Sequence, residues 1–416
     1  MEALRRRSGL PEGFRCSAVP LTFFPREKPS SKPYRMNLSL VLLDRATELF
    51  GGVFTRNAFP GHPVLIDRGR LANPVIRGIL ANNRIANVGI EGGGEDAESL
   101  LGNLGGLAGC RGEDFFVSST GVIGWRLPVR EMSLALEPLV KGLQRDSVLP
   151  VAEAIMTTDS FPKVRSIPVG QGRLVAVAKG AGMIEPNLAT MLVFVLTDVS
   201  VERGVLRESL MWCAQRSFNC ISVDGDQSTS DSLLAISSGV KPPVKDDEFR
   251  EALSTVCGKL AEDIVRNGEG TGHVMRVTLR GSLDGEAARG AAKAVINSPL
   301  VKTAVYGNDP NVGRILNALG DYLGTAGLKV DPRSLSISLG GIGVFSHGAF
   351  DLDSEKELKL SGYLEECGLD PSRKGFPVHD RTVDIDIQVG EGEREITVTG
   401  SDLSYEYVRE NAEYRS

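Results

Sequence analysis

The stretch Leu174-Val-Ala-Val-Ala-Lys179-Gly-Ala-Gly-Met-Ile-Glu-Pro186-Asn-Leu-Ala189-Thr190-Met-Leu-Val-Phe-Val-Leu-Thr-Asp198 holds two strongly apolar runs joined by a glycine-bearing loop. Branched residues dominate both runs, which predicts a buried strand over 174–178 and another over 191–196. Gly180, Gly182 and Pro186 break the pattern between them and predict the turn. Working outward, further strands are expected at 38–43, 115–118, 274–279, 383–389 and 395–398. Helices are expected at 247–266, where Phe249, Leu253, Val256, Leu260 and Ile264 form one apolar stripe, and at 284–296 and 310–323. Strands and helices interleave without a strict alternation, and no repeat of fixed period is present. The expected fold is therefore a layered α/β (α+β) sandwich. Val240-Lys241-Pro242-Pro243 is expected to be a linker before the C-terminal part.

With 416 residues, 41% of them hydrophobic and 24% charged, the chain can bury a large core, with room for more than one domain. The net charge is −6 and the only basic run is Arg5-Arg6-Arg7, read as a solvated arm, so nucleic acid is not an expected partner. Those arginines lead into polar Ser8-Gly9-Leu10-Pro11-Glu12 rather than an apolar segment, and no stretch is long and apolar enough to span a membrane. The six cysteines are scattered without a C-x-x-C pair and the four histidines are isolated. Reduced thiols, a cytoplasmic location and no metal site are expected.

Thr190 stands at the head of a buried strand, after the small residue Ala189. Two readings are open: a structural hydroxyl, or a nucleophile that first attacks its own preceding carbonyl. In the second, cleavage between Ala189 and Thr190 frees an α-amine with an ordinary pKa of about 7.7 to 8.0, able to act as base for the hydroxyl beside it. Lys179, at the end of the neighbouring run, would lower that pKa as a nearby cation.

The segment from Lys179 to Leu192 resembles the processing segment of the ornithine acetyltransferase family, also called bifunctional glutamate N-acetyltransferase. Further similar motifs follow in the family's order. They are Ser118-Ser-Thr-Gly-Val-Ile-Gly124, Ala154-Ile-Met-Thr157-Thr-Asp159, Phe218-Asn-Cys-Ile-Ser-Val-Asp-Gly-Asp226, Asn297-Ser-Pro-Leu-Val-Lys-Thr303, Asp309-Pro-Asn-Val-Gly-Arg314 and Asp402-Leu-Ser-Tyr-Glu-Tyr407. The resemblance implies an N-terminal-nucleophile-like sandwich cut into an α fragment (1–189) and a β fragment (190–416). It implies Thr190 as nucleophile, Thr120 and Gly121 as oxyanion hole, and Thr157, Lys179, Thr190, Glu269, Asn411 and Ser416 as substrate contacts. It further implies ping-pong acetyl transfer from N-acetylornithine to glutamate in arginine biosynthesis. No cofactor would be needed, acetyl-CoA would be an additional donor in the bifunctional subtype, and two α and two β fragments would assemble.

The chain departs from the family's pattern in four places. Thr271-Gly272-His273 follows the Glu269 loop where the family has Ala-Thr-Lys, and the 82–87 loop is Asn-Asn-Arg-Ile-Ala-Asn. Val312 stands at a common tryptophan and Ser416 at a common threonine. These changes bear on substrate choice, leaving open an amidase or aminopeptidase, or an acetyltransferase for another amine. Asp224-Gly-Asp226 after an apolar run also resembles a magnesium-dependent aspartyl-phosphate motif. A binding protein that has lost processing is the non-enzymatic alternative.

Overall fold

The computed structural model describes residues 2–185, 191–373, 375–376 and 380–413. They form a mixed α/β protein with two compact units: Met1–Gly180, Pro186–Asn219 and Gln227–Ile264 make the first, and Ala181–Glu185, Cys220–Asp226 and Val265–Ser416 the second.

The first unit contains two sheets. One has the order β1 (Phe14–Phe23), β2 (Tyr34–Thr47), β4 (Ile76–Asn82), β5 (Phe115–Ser119). The other has the order β3 (Phe50–Phe54), β10 (Ser232–Lys241), β8 (Leu192–Val199), β7 (Gly172–Lys179), β6 (Lys163–Val169). Successive side chains of a strand point to opposite faces, so β2 feeds two cores. Val41 and Leu43 pack with Phe116, Val175, Val177, Phe194 and Leu234 between the sheets. Leu38, Leu40 and Leu42 pack with Leu100, Leu104, Leu136 and Leu139 of the helices Gly93–Ala108 and Val129–Lys141. Burial on both faces explains why this run, Ser39 apart, is apolar instead of alternating. Every residue of β8 is buried, for the same reason.

The second unit is one sheet of order β14 (Ala349–Phe350), β13 (Ile342–Ser346), β12 (Leu335–Leu339), β15 (Val383–Val389), β11 (Val274–Gly281), β16 (Arg394–Ser401), β9 (Ile221–Ser222). Val383, Ile385, Ile387 and Val389 alternate with half-exposed polar residues, and the apolar face packs on the helices Gly285–Asn297, Val312–Thr325 and Ser354–Cys367.

The expected strands and helices are all present, with boundaries moved by a few residues. The expected linker is not one. Val240 and Lys241 end β10, and the helix Asp246–Arg266 that follows belongs to the same unit as far as Ile264. None of the described helices is long and apolar enough to cross a membrane.

Candidate active site

The first unit builds a turn around Thr120 and Gly121. Beyond the end of β5, the Thr120 amide donates to Asn82 O (3.1 Å) and the Val122 amide to Arg84 O (2.9 Å). Gly121 has φ +126°, and a Cβ there would lie 2.2 Å from the Arg84 carbonyl carbon, so only glycine fits. The 82–87 loop holds the turn from below: Ser119 Oγ donates to Asn82 Oδ1 (2.7 Å), and Asn82 Nδ2 donates to Ile85 O (2.9 Å). Asn83 Nδ2 donates to Met156 O (2.8 Å), which ties this loop to the segment carrying Thr157.

Asp159 organises that segment. One carboxylate oxygen accepts from the Gly180 amide (2.8 Å) and from Lys163 Nζ (2.5 Å), the other from the Thr157 amide (3.1 Å). Both charged side chains are wholly buried. Burial opposes the charge on Asp159, but Lys163, then Lys179, and the Gly180 amide outweigh it and hold the carboxyl below its ordinary range. Thr157 and the Lys179–Gly180 strand end are thus brought to one carboxylate. Lys179 pairs with Leu192 across the antiparallel β7–β8 ladder, two residues past Thr190. Ala189, Thr190 and Ser416 lie outside the described residues.

The second unit brings Glu269 and Asn411 together. Glu269 is buried rather than solvated, and Asn411 Nδ2 donates to its Oε2 (2.8 Å). Its amide donates to Ala181 O (2.9 Å), and its carboxylate lies so close to Gly182 that a Cβ there would be 2.2 Å from Oε2. Gly270 has φ +62° and would clash with the Tyr407 amide if it carried a side chain. Ser404 Oγ donates to Gly270 O (2.6 Å) and caps the helix Tyr405–Ala412, which carries Asn411 in its last turn. The C-terminal segment is therefore an ordered helix as far as Ala412.

His273, at the place of the family's lysine, is buried. Its Nδ1 lies 2.8 Å from Asp402 Oδ2, and its Nε2 lies 3.1 Å from Asn308 Oδ1 and 3.2 Å from Leu364 O. Asp402 also accepts from the Gly272 amide (2.9 Å), so the imidazole braces the end of the Glu269 loop.

The Asp224-Gly-Asp226 pattern is not a phosphoryl-transfer site. Asp224 accepts from the amides of Met183 (2.6 Å), Ile184 (2.8 Å) and Asp226 (3.2 Å), which occupy the carboxylate. Among the described residues no group of acidic, histidine or cysteine side chains is arranged to hold a metal.

Asp159 and Lys163 were missed as site residues by the reading of the sequence. Their signal was an Asp and a Lys four apart across Phe161-Pro162, where proline rules out the ordinary helical pair. Lys302 was missed too: its buried Nζ donates to Val223 O (2.7 Å) and Ser401 O (2.5 Å), carbonyls remote in sequence.

The layered fold and the polar side chains gathered at strand ends, with glycines where backbone and carboxylate meet, define a class: mixed α/β enzymes that act on small molecules. Residues 28–416 match the ArgJ family. The arginine biosynthesis bifunctional protein ArgJ of Geobacter sulfurreducens is 36% identical over 417 residues, covering 97% of this chain and 99% of its own. That of Thermosynechococcus vestitus is 35% identical over 424 residues, covering 98% and 96%. A crystal structure of the Bacillus halodurans protein of the same name aligns with 53% of this chain and 97% of its own, at 32% identity and a TM-score of 0.46. This chain belongs to the ArgJ family, whose relatives named here are enzymes of arginine biosynthesis.

Proposed function

We propose that the chain transfers acetyl from N-acetylornithine to glutamate through an acetyl ester on Thr190, after cutting itself between Ala189 and Thr190. The observation that carries this reading is the family match, which runs through the whole processing segment. The β7–β8 register, with Lys179 opposite Leu192, supports it by setting a cation beside the strand that Thr190 precedes.

The Thr190 hydroxyl attacks the acetyl carbonyl of N-acetylornithine, and its proton passes to the Thr190 α-amine. The tetrahedral oxyanion is held at Thr120 and Gly121. Fixed donors of this kind are commonly worth about 3 kcal/mol of barrier. As the C–N bond breaks, the α-amine returns the proton to the departing ornithine. The amine of glutamate then attacks the ester, and the Thr190 oxygen leaves with a proton. Thr157 and Lys179 receive the substrate carboxylate, and Glu269, held by Asn411, receives the second amine of ornithine. Ser416 completes the substrate contacts. The recycling reaction uses no cofactor, and acetyl-CoA serves as an alternative donor. The fragments 1–189 and 190–416 stay together as a cytoplasmic assembly of two of each.

The test is acetyl transfer to glutamate with N-acetylornithine and with acetyl-CoA as separate donors, beside N-terminal sequencing of the purified protein. A fragment beginning Thr-Met-Leu-Val and formation of N-acetylglutamate are expected. Thr190→Ala should remain one inactive chain of 44.6 kDa. Release of acetate without N-acetylglutamate would point instead to an amidase.

A further inference from the structure

His273 is buried, and each of its ring nitrogens faces oxygen. Nδ1 lies 2.8 Å from Asp402 Oδ2, and Nε2 lies 3.2 Å from Leu364 O and 3.1 Å from Asn308 Oδ1. An ionised carboxylate and a backbone carbonyl only accept, so the ring donates from both nitrogens, and an imidazole that does so carries a positive charge. The surroundings suit a cation. Leu364 lies in the last turn of the helix Ser354–Cys367. The Gly368 amide, which would close that turn onto Leu364 O, bonds Glu365 O instead (3.2 Å), and the imidazole takes the Leu364 carbonyl. The carbonyl end of a helix favours positive charge.

Asp402, the carboxylate on the other side of the ring, joins both halves of the Glu269 site. Its second oxygen accepts from the Gly272 amide (2.9 Å), and its own amide donates to His273 O (3.1 Å), so it closes the loop that carries Glu269. Two residues on, Ser404 donates to Gly270 O and caps the helix Tyr405–Ala412, whose Asn411 donates to Glu269 Oε2. The loop bearing Glu269 and the helix bearing Asn411 thus diverge from one buried carboxylate. Lys302 also feels the Asp402 charge, but it directs its donors to Val223 O and Ser401 O. His273 is the cation that bonds Asp402 directly.

We propose that His273, as an imidazolium, is a positioning residue for recognition of the substrate's second amine: by holding Asp402 it sets the loop and the helix so that Glu269 presents its carboxylate to that amine. The inference rests on the proposed assignment of Glu269 to the ornithine amine. Every residue in it belongs to the second unit.

The test compares ligands with and without that amine: N-acetylornithine, and N-acetylnorvaline, which has the same carbon chain and no second amine, followed as donor or as competing ligand. Steady-state kinetics with glutamate as acceptor, and melting temperature, are measured for the parent, His273→Gln, His273→Lys and Glu269→Gln. His273→Gln should raise KM for N-acetylornithine about tenfold, the scale of one lost charge-assisted hydrogen bond, with kcat and the binding of N-acetylnorvaline little changed. His273→Lys, which keeps a cation, should recover most of the loss. A brace acting by packing alone would weaken both ligands together and would gain nothing from lysine. Independently of any variant, the imidazole 15N spectrum of the parent under assay conditions should show one slowly exchanging ring with two N–H protons. A single N–H on that ring would overturn the proposal, as would a folded His273→Gln variant that keeps the parent's preference for N-acetylornithine while Glu269→Gln loses it. An unchanged preference in Glu269→Gln would instead remove the assignment of Glu269, and this inference with it.

Discussion

Two aspartates grip the same loop from different surroundings. Asp159 holds the Gly180 amide, and three residues on, Asp224 holds that of Met183. Asp159 is buried and Asp224 half-buried, and both accept from backbone N–H groups. Their charge states nevertheless move in opposite directions. Burial pushes Asp224 up, and the amides of Ile184, Met183 and Asp226 only partly counter it. Burial pushes on Asp159 as well, but Lys163 and Lys179 reverse the result. Three backbone amides do not offset the cost of burial at Asp224, whereas the lysine charges do at Asp159. The first grip is therefore an ion-pair anchor, and the second is a softer one whose strength depends on shape.

Lys163→Met should break the comparison most violently. It leaves the Asp159 charge buried without its nearest partner, and losses of about 3–5 kcal/mol accompany such removals. Thermal or urea unfolding of Lys163→Met, and of the double variant with Asp159→Asn, checks this: the double variant should be the more stable of the two. Lys302→Met comes next. It removes the donor that the Val223 and Ser401 carbonyls share, leaving Val223 O only the Ser401 hydroxyl (3.2 Å), at a cost of about 1–3 kcal/mol, readable in the same unfolding experiment.

The pH dependence of stability should separate the two aspartates by sign. For Asp159 the folded value lies below the unfolded one, so the unfolded chain binds more protons in acid. Its contribution is complete above about pH 4 and is lost as pH falls through the folded value. For Asp224 the folded chain binds more protons, so stability declines as pH rises from about 4 through its folded value. Melting curves of Asp159→Asn and Asp224→Asn against the parent should therefore diverge in opposite directions across the acid range. Lys302 supplies an alkaline counterpart. Burial lowers it from 10.5 to about 8 in the fold, so between those values the unfolded chain holds the extra proton and stability rises with pH. The parent should gain on Lys302→Met across that window. The smallest effect is expected of Asn411→Ala. It removes one hydrogen bond from Glu269, and under the proposed function it should raise KM for N-acetylornithine several-fold, by about 1 kcal/mol, with little change in melting temperature.

Much of the fold is legible in the sequence because its strands are either clearly alternating or clearly apolar. Strand β15 spans the expected 383–389, where Val383, Ile385 and Ile387 alternate with Asp384, Asp386 and Gln388. Strand β1 was not anticipated, since Pro20 interrupts it and its pattern is mixed. It lies at the edge of its sheet, where a proline's missing donor costs least. The site was less legible, for a physical reason: its polar partners are remote in sequence. His273 meets Asp402 across 129 positions, and Lys302 meets Val223 and Ser401 across 79 and 99. Asp224 has a spacing that suggests metal chemistry, and only the positions of the Met183 and Ile184 amides show what its carboxylate holds. Glu269 and Asn411 were assigned by resemblance, and the structure brings them to 2.8 Å.

The second sheet of the first unit draws its strands from both sides of the 189/190 junction. From one edge, β3 precedes the junction, β10 and β8 follow it, and β7 and β6 precede it. Either half synthesised on its own would carry strands with open edges and no neighbours, a state prone to aggregate. Under the proposed cut the order of events is thereby dictated: one ribosome must deliver the whole chain and the sheet must close before the 189/190 bond is severed. Two separately encoded halves should meet, if at all, as insoluble material.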